Sequence, residues 1–191
     1  MFNLFKNING NNSDEELMKA LSDGNRKAFE IIYDRYFHRL KNFNKSILNG
    51  DEMKAEDVAQ DVFLKIIHHP ELFDSSKKFS TWIFTISKNL CFNQIRNEQN
   101  RKELLQRNFQ SETIFNHYST VDAEILQKKI AQVFITLNEK EKTIFVLRFE
   151  QELAIKEIAE IAEMPEGTVK SSIFYLLKKI SSQLKDYTHA N

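Results

Sequence analysis

The sequence predicts an all-α fold made of two small helical domains joined by a flexible, polar linker. Three observations predict it. Glycine and proline are scarce, at four and two among 191 residues, while Phe, Ile, Leu, Lys and Glu abound, a composition that suits helices far better than sheet. Apolar residues recur at three- and four-residue intervals along most of the chain, the period that gathers side chains on one helix face. From Glu98 to Val121 that period lapses in a run rich in Asn, Gln, Ser and Thr, which reads as the linker.

Residues 1–24 form a lead-in and a short helix. Met1 to Asn12 is a loose polar start, and Ser13 with Glu16 makes a capping box that opens a helix ended by Gly24. The first domain, 25–97, begins with a long helix from Arg26 to Leu48. Its stripe of Phe29, Ile32, Tyr33, Tyr36, Phe37, Leu40 and Phe43 is a core face, and Gly50 stops it. The next helix, Ala55 to His68, buries Val58, Val62, Phe63, Ile66 and Ile67, and Pro70 terminates it. Asp57, Gln60, Asp61 and Lys65 stand on its other faces, where the acids serve either solvation or the docking of a basic partner.

FDSSKKFS, Phe73 to Ser80, reads as a polar loop, and Ser80 then caps a helix from Thr81 to Asn97. Trp82, Ile83, Ile86, Leu90 and Ile95 are its apolar positions, with Lys88, Asn89, Asn93 and Arg96 between them. Lysines and amides among aromatics suit binding of melted DNA, and equally a plain surface loop over a core tryptophan. In the second domain, 122–187, helices are expected over Asp122 to Thr136 and Asn138 to Phe149, the latter opened by Asn138 and Glu141.

Leu153 to Ile180 then specifies two helices meeting at a tight corner. Ile155, Ile158, Ala159 and Ala162 share one face of the first, and Met164-Pro165-Glu166-Gly167 stops it. Thr168 is the expected cap of the second, whose apolar side is Val169, Ile173, Leu176, Leu177 and Ile180. Small Ala159 lies ten residues before branched Val169, the offset at which a helix-turn-helix lets its two helices cross closely; a plain helical hairpin is the other reading. The second helix is basic, with Lys170, Lys178, Lys179 and Lys185 and no acid between Thr168 and Lys185, which fits a DNA major groove.

Composition bounds the function. Basic and acidic residues balance at 27 each, so only local asymmetry can speak for nucleic acid. Lys77 to Arg107 holds seven basic residues against two acidic, and Glu150 to Glu166 holds six acidic against Lys156 alone. A single cysteine, Cys91, excludes an internal disulfide framework and is too few for structural zinc. His38, His68 and His69 make no ligand pair on one helix face, so neither a metal, a cofactor nor an enzymatic activity is expected. No apolar run of spanning or signal-peptide length occurs, and a cytoplasmic protein without membrane insertion is expected.

Four blocks in order carry a family resemblance: AEDVAQDVFLKI from Ala55, FSTWIFTISKNLCFNQIRN from Phe79, LNEKEKTIFVLRF from Leu137 and EIAEIAEMPEGTVKSSI from Glu157. Together they resemble the signature blocks of bacterial RNA polymerase sigma factors of the extracytoplasmic-function (ECF) group. The resemblance implies sigma domain 2 at 25–97 and sigma domain 4 at 122–187. It implies that Asp57, Gln60 and Asp61 bind core polymerase, and that Lys77, Lys78, Phe79, Ser80, Lys88, Asn89 and Arg96 serve −10 capture and melting. Thr168, Lys170, Ser171, Phe174 and Lys178 become −35 contacts. Core RNA polymerase, promoter DNA and an anti-sigma factor are the implied partners. The alternative is a two-domain helix-turn-helix regulator that binds operator DNA without joining polymerase. The chain departs from the family pattern at Ser172, Tyr175 and Leu177, where arginines are common, and at Glu163, where the corner often has glycine.

Overall fold

A computed structural model describes residues 8–106, 133–134 and 136–188; all regular structure among them is helical. Seven α-helices are described: α1 (Asp14–Ser22), α2 (Arg26–Ile47), α3 (Glu52–His68), α4 (Phe79–Gln106), α5 (Glu139–Phe145), α6 (Ile155–Ala162) and α7 (Glu166–Thr188). No described helix is long and apolar enough to cross a membrane. Most of the predicted helix from Asp122 to Thr136 lies outside the described residues.

Local signals set most helix starts. The Ser13 hydroxyl accepts from the Glu16 amide while the Glu16 carboxylate accepts from the Ser13 amide, and three acids in the first turn of α1 face the positive end of its dipole. Asn25 and Asp51 cap α2 and α3, so α3 begins three residues before the predicted Ala55. Asn138 and Glu141 form a second capping box on α5. Between α2 and α3 the chain reverses through Asn49 and Gly50, both at positive φ.

Four more boundaries differ from the sequence reading. Helix α4 begins at Phe79, which puts Ser80 inside the helix rather than at its cap. It also continues to Gln106, nine residues past the expected end at Asn97, so the predicted linker starts as helix. Helix α5 gives way at Val146–Glu150 to a five-residue π-helical turn. At the corner, Glu163 takes the left-handed conformation (φ 55, ψ 48) and α7 starts at Glu166, so Thr168 lies within the helix rather than at its cap.

The N-terminal unit packs α1, α2, α3 and the first half of α4 around Ile32, Leu40, Phe43, Ile66, Ile83 and Phe84. Inside it, fully buried Asn44 donates from Nδ2 to the Ala55 carbonyl of α3, and its Oδ1 accepts from Ser87 and Cys91 of α4. A buried amide is tolerable because its polar atoms are matched. The C-terminal unit closes α5, α6 and α7 over Ile144, Leu147, Ile158, Ile161, Val169 and Leu176, with Ala159 and Val169 both buried at the corner as their spacing predicts.

The two units pack on each other. Helix α6 lies against α4, and α5 with its π turn lies against α2. The Arg39 guanidinium sits over the Tyr36 and Phe84 rings, 5.2 and 5.5 Å from their centroids, and donates to Gln151. Ser46 donates to Glu150 at 2.9 Å, and Lys142 to Asn49 at 2.9 Å.

Candidate nucleic-acid and protein interfaces

On α3, Ala55, Val58, Ala59, Val62, Phe63 and Ile66 turn inward, which leaves Asp57, Gln60 and Asp61 exposed on the opposite side. Three apolar residues share that outer face: Met53, Leu64 and Ile67, at 81%, 53% and 43% exposure. Ile67 was expected in the core; its position is rotated too far from Ile66 to reach α2, at about 100° per residue. Acids interleaved with bare apolar side chains are poor solvating surface and good docking surface. The sequence signal for the acids was present; for Leu64 and Ile67 it was not.

The seven residues expected at the −10 region separate into three environments. Lys77, Lys78, Asn89 and Arg96 are exposed. Phe79 is fully buried, edge-on to Tyr36 and Phe73 and tilted against Trp82, with its amide donating to Glu15 of α1 at 3.0 Å. It is therefore a core residue that anchors the start of α4, not a surface group available to a base. Ser80 and Lys88 are engaged by the C-terminal unit. Ser80 donates to Glu157 at 2.9 Å, where Lys78 also reaches at 3.3 Å. Lys88 donates from Nζ to the Ile161 carbonyl at 2.7 Å and to Glu163 at 2.8 Å, with its side chain only 9% exposed.

These contacts join the basic and acidic stretches noted in the sequence. The Lys88 hydrogen bond and charge hold the Glu163 carboxyl below its usual range. Burial pushes the Glu157 carboxyl up, but bonds from the Ala154 amide, Ser80 and Lys78 outweigh it and leave it below that range. Beside Lys88, a cleft of about 500 Å³ runs between the units, lined by Asn89, Asn93 and Arg96 on one side and Lys140, Thr143 and Glu163 on the other.

On α7, Val169 and Leu176 are buried and Ile173 and Ile180 half-buried. Thr168, Lys170, Ser171, Phe174 and Lys178 are all exposed, so the five expected contacts lie together along one element. Tyr175 and Leu177 join them at 65% and 47% exposure; Leu177 was expected on the apolar side and instead faces solvent. The corner is tight because Glu163 accepts a left-handed backbone that glycine would adopt more cheaply.

Comparison with known proteins gives two family matches in chain order. The model of Sigma-70 region 2 matches residues 32–101, which include α3, the basic segment and α4 up to Arg101; the model of Sigma-70, region 4 matches residues 133–182, which include the corner. The chain is 29% identical over 180 residues to the ECF RNA polymerase sigma factor SigW of Bacillus subtilis (strain 168), covering 88% of this chain and 95% of that one. It is 27% identical over 183 residues to the ECF RNA polymerase sigma-E factor of Haemophilus influenzae, covering 91% and 96%. Among solved structures, CnrH in complex with the cytosolic domain of CnrY matches with a TM-score of 0.69 at 21% identity, over 92% of this chain and 99% of that one. RpoE in complex with the anti-sigma factor NepR from Bartonella quintana matches with a TM-score of 0.67 at 22% identity, over 83% and 98%. At those identities the structures establish a shared fold.

Proposed function

Because the chain belongs to the sigma-70 family, in the ECF group of RNA polymerase sigma factors, we propose that its units divide promoter recognition while α3 holds the polymerase. The carrying observation is the outer face of α3, where Asp57, Gln60 and Asp61 alternate with bare Met53, Leu64 and Ile67. A regulator that only binds operator DNA has no use for that surface; a subunit that must dock on polymerase does.

The exposed Lys77, Asn89 and Arg96 receive the −10 region, with Lys78, Ser80 and Lys88 joining once released. Helix α7 receives the −35 region through Thr168, Lys170, Ser171, Phe174 and Lys178. The lysines supply phosphate contacts that set position, and base selection comes from the outward side chains. The protein performs no chemistry of its own: it lends sequence specificity and strand capture to a polymerase that carries the catalytic centre, and it works in the cytoplasm.

The packing of the units adds an ordering to this role. Ser80, Lys78 and Lys88 are bonded to Glu157, Glu163 and the Ile161 carbonyl, so α6 must leave α4 before these groups can meet DNA. An anti-sigma factor is the partner suited to control that step, as both structural relatives are complexes and one names such a factor. The test is binding of the purified chain to core polymerase without DNA, followed by run-off transcription. Binding that weakens in Gln60→Ala and in Leu64→Asp, with helical content retained, is expected. A chain that binds promoter fragments but never core polymerase would refute the assignment.

A further inference from the structure

We infer that Phe174 and Tyr175 read thymine methyl groups in the upstream element, so that this protein selects A·T pairs there; the inference rests on α7 being the upstream reader. Buried Val169 and Leu176, with half-buried Ile173 and Ile180, fix the inward side of α7. Half a turn away, at helical spacing, stand Ser171, Phe174, Tyr175 and Lys178. The two rings are 64% and 65% exposed and meet edge to face with centroids 5.6 Å apart, making one apolar wedge between a hydroxyl and an ammonium group.

Paired aromatics this bare mark a contact surface rather than a solvated one. The surrounding charge says which contact. Lys170 and Lys178 are exposed beside the rings and no acid occurs from Thr168 to Lys185, so the surface suits a polyanion. In a major groove the one apolar group on offer is the C5-methyl of thymine. Helix α7 also contains no arginine, so the planar fork that grips guanine O6 and N7 is missing, and lysine supplies only a point charge in its place. From Ser171 to Lys178 the helix rises about 10.5 Å, roughly three base-pair steps, which places the wedge over one or two adjacent pairs at the middle of the footprint.

The test uses holoenzyme reconstituted from core polymerase and the full chain, with duplexes randomised over the upstream region. Selection is expected to enrich thymine at one or two adjacent positions on either strand. Replacing those thymines by 2′-deoxyuridine keeps the pairing and removes only the methyl; about a fourfold loss of binding per methyl is expected, with no loss when uridine is placed outside the element. Tyr175→Arg is expected to shift selection toward guanine and to abolish the uridine effect at its position. A guanine-rich element in the unaltered protein, or selected thymines indifferent to uridine, would overturn the inference and leave the promoter-reading role standing. Unchanged selection in Phe174→Ala and Tyr175→Ala, as when the wedge docks a protein, would do the same. Holoenzyme that selects a downstream element and no upstream one would remove the α7 assignment and the inference with it.

Discussion

Replacing Glu163 by glycine separates closure of the two units from stability of the fold. Glu163 holds φ 55 and ψ 48, a left-handed backbone that costs a residue with a Cβ about 1 kcal/mol. Relief of that strain is worth a rise of about 2–4 °C in Tm for a chain of this size. The same change removes the carboxylate that Lys88 bonds at 2.8 Å, leaving Lys88 with the Ile161 carbonyl alone. With its side chain 72% exposed, Glu163 is screened by water, so its loss does not unfold the corner. The expected result is a Tm equal to or above that of the unaltered chain, together with faster acylation of Lys88 in an amine footprint read by mass spectrometry. Glu163→Gln keeps the strain and weakens the bond, so it accelerates acylation without raising Tm. A fall in Tm of several degrees for the glycine variant, with Lys88 protected as before, would refute both the strain at the corner and the hold of Glu163 on Lys88.

Three further outcomes follow. Phe79→Ala should destabilise the fold by about 3–5 kcal/mol, read by chemical denaturation, because it empties a site enclosed by three other rings; unchanged stability with lost strand opening would return Phe79 to the DNA surface. Glu157 and Glu163 are held below the ordinary value of 4.5, so their contribution is complete above that pH and lost as pH falls through the lower folded values. Desolvation pushes the Glu150 carboxyl the opposite way, and it becomes easier to keep as it protonates. Fluorescence energy transfer between the units should therefore drop below pH 4.5 and drop less in Glu157→Gln; a transition centred near neutrality would exclude these carboxylates. Burial raises the Cys91 thiol to about 12, and the native protein should resist a thiol-labelling reagent until it unfolds; rapid labelling of folded protein would show that α4 does not pack as described.

Much of the fold is legible because its signals are local. Ser13 with Glu16 and Asn138 with Glu141 satisfy helix amides within three residues, and the spacing of Ala159 and Val169 sets the corner. The far end of α4 is illegible by the same logic. Glu98 to Gln106 has no sustained apolar period, so the helix persists through its Glu, Gln, Arg, Lys and Leu propensities, aided near its start by a Lys54–Glu98 ion pair at 2.6 Å. The sequence puts Phe79 on the DNA surface because two of the contacts that hold it inside, the Tyr36 ring and the Glu15 carboxylate, come from more than forty residues away. For the site, the exposed candidates on α3 and α7 could be read from periodicity. The engagement of Ser80 and Lys88 could not: opposite charge in two stretches of sequence does not say that they face each other.

Asn44 acts on all of this from a distance. Its Oδ1 is satisfied only while Ser87 and Cys91 lie over it, and turning α4 by one residue would swing both away by about 100°. The same turn would carry Lys88 off the Ile161 carbonyl and Glu163. A neutral side chain sealed inside one unit thus keys α4 like a shaft in its hub, and the phase it sets decides which groups that rod presents, either to α6 or to a promoter.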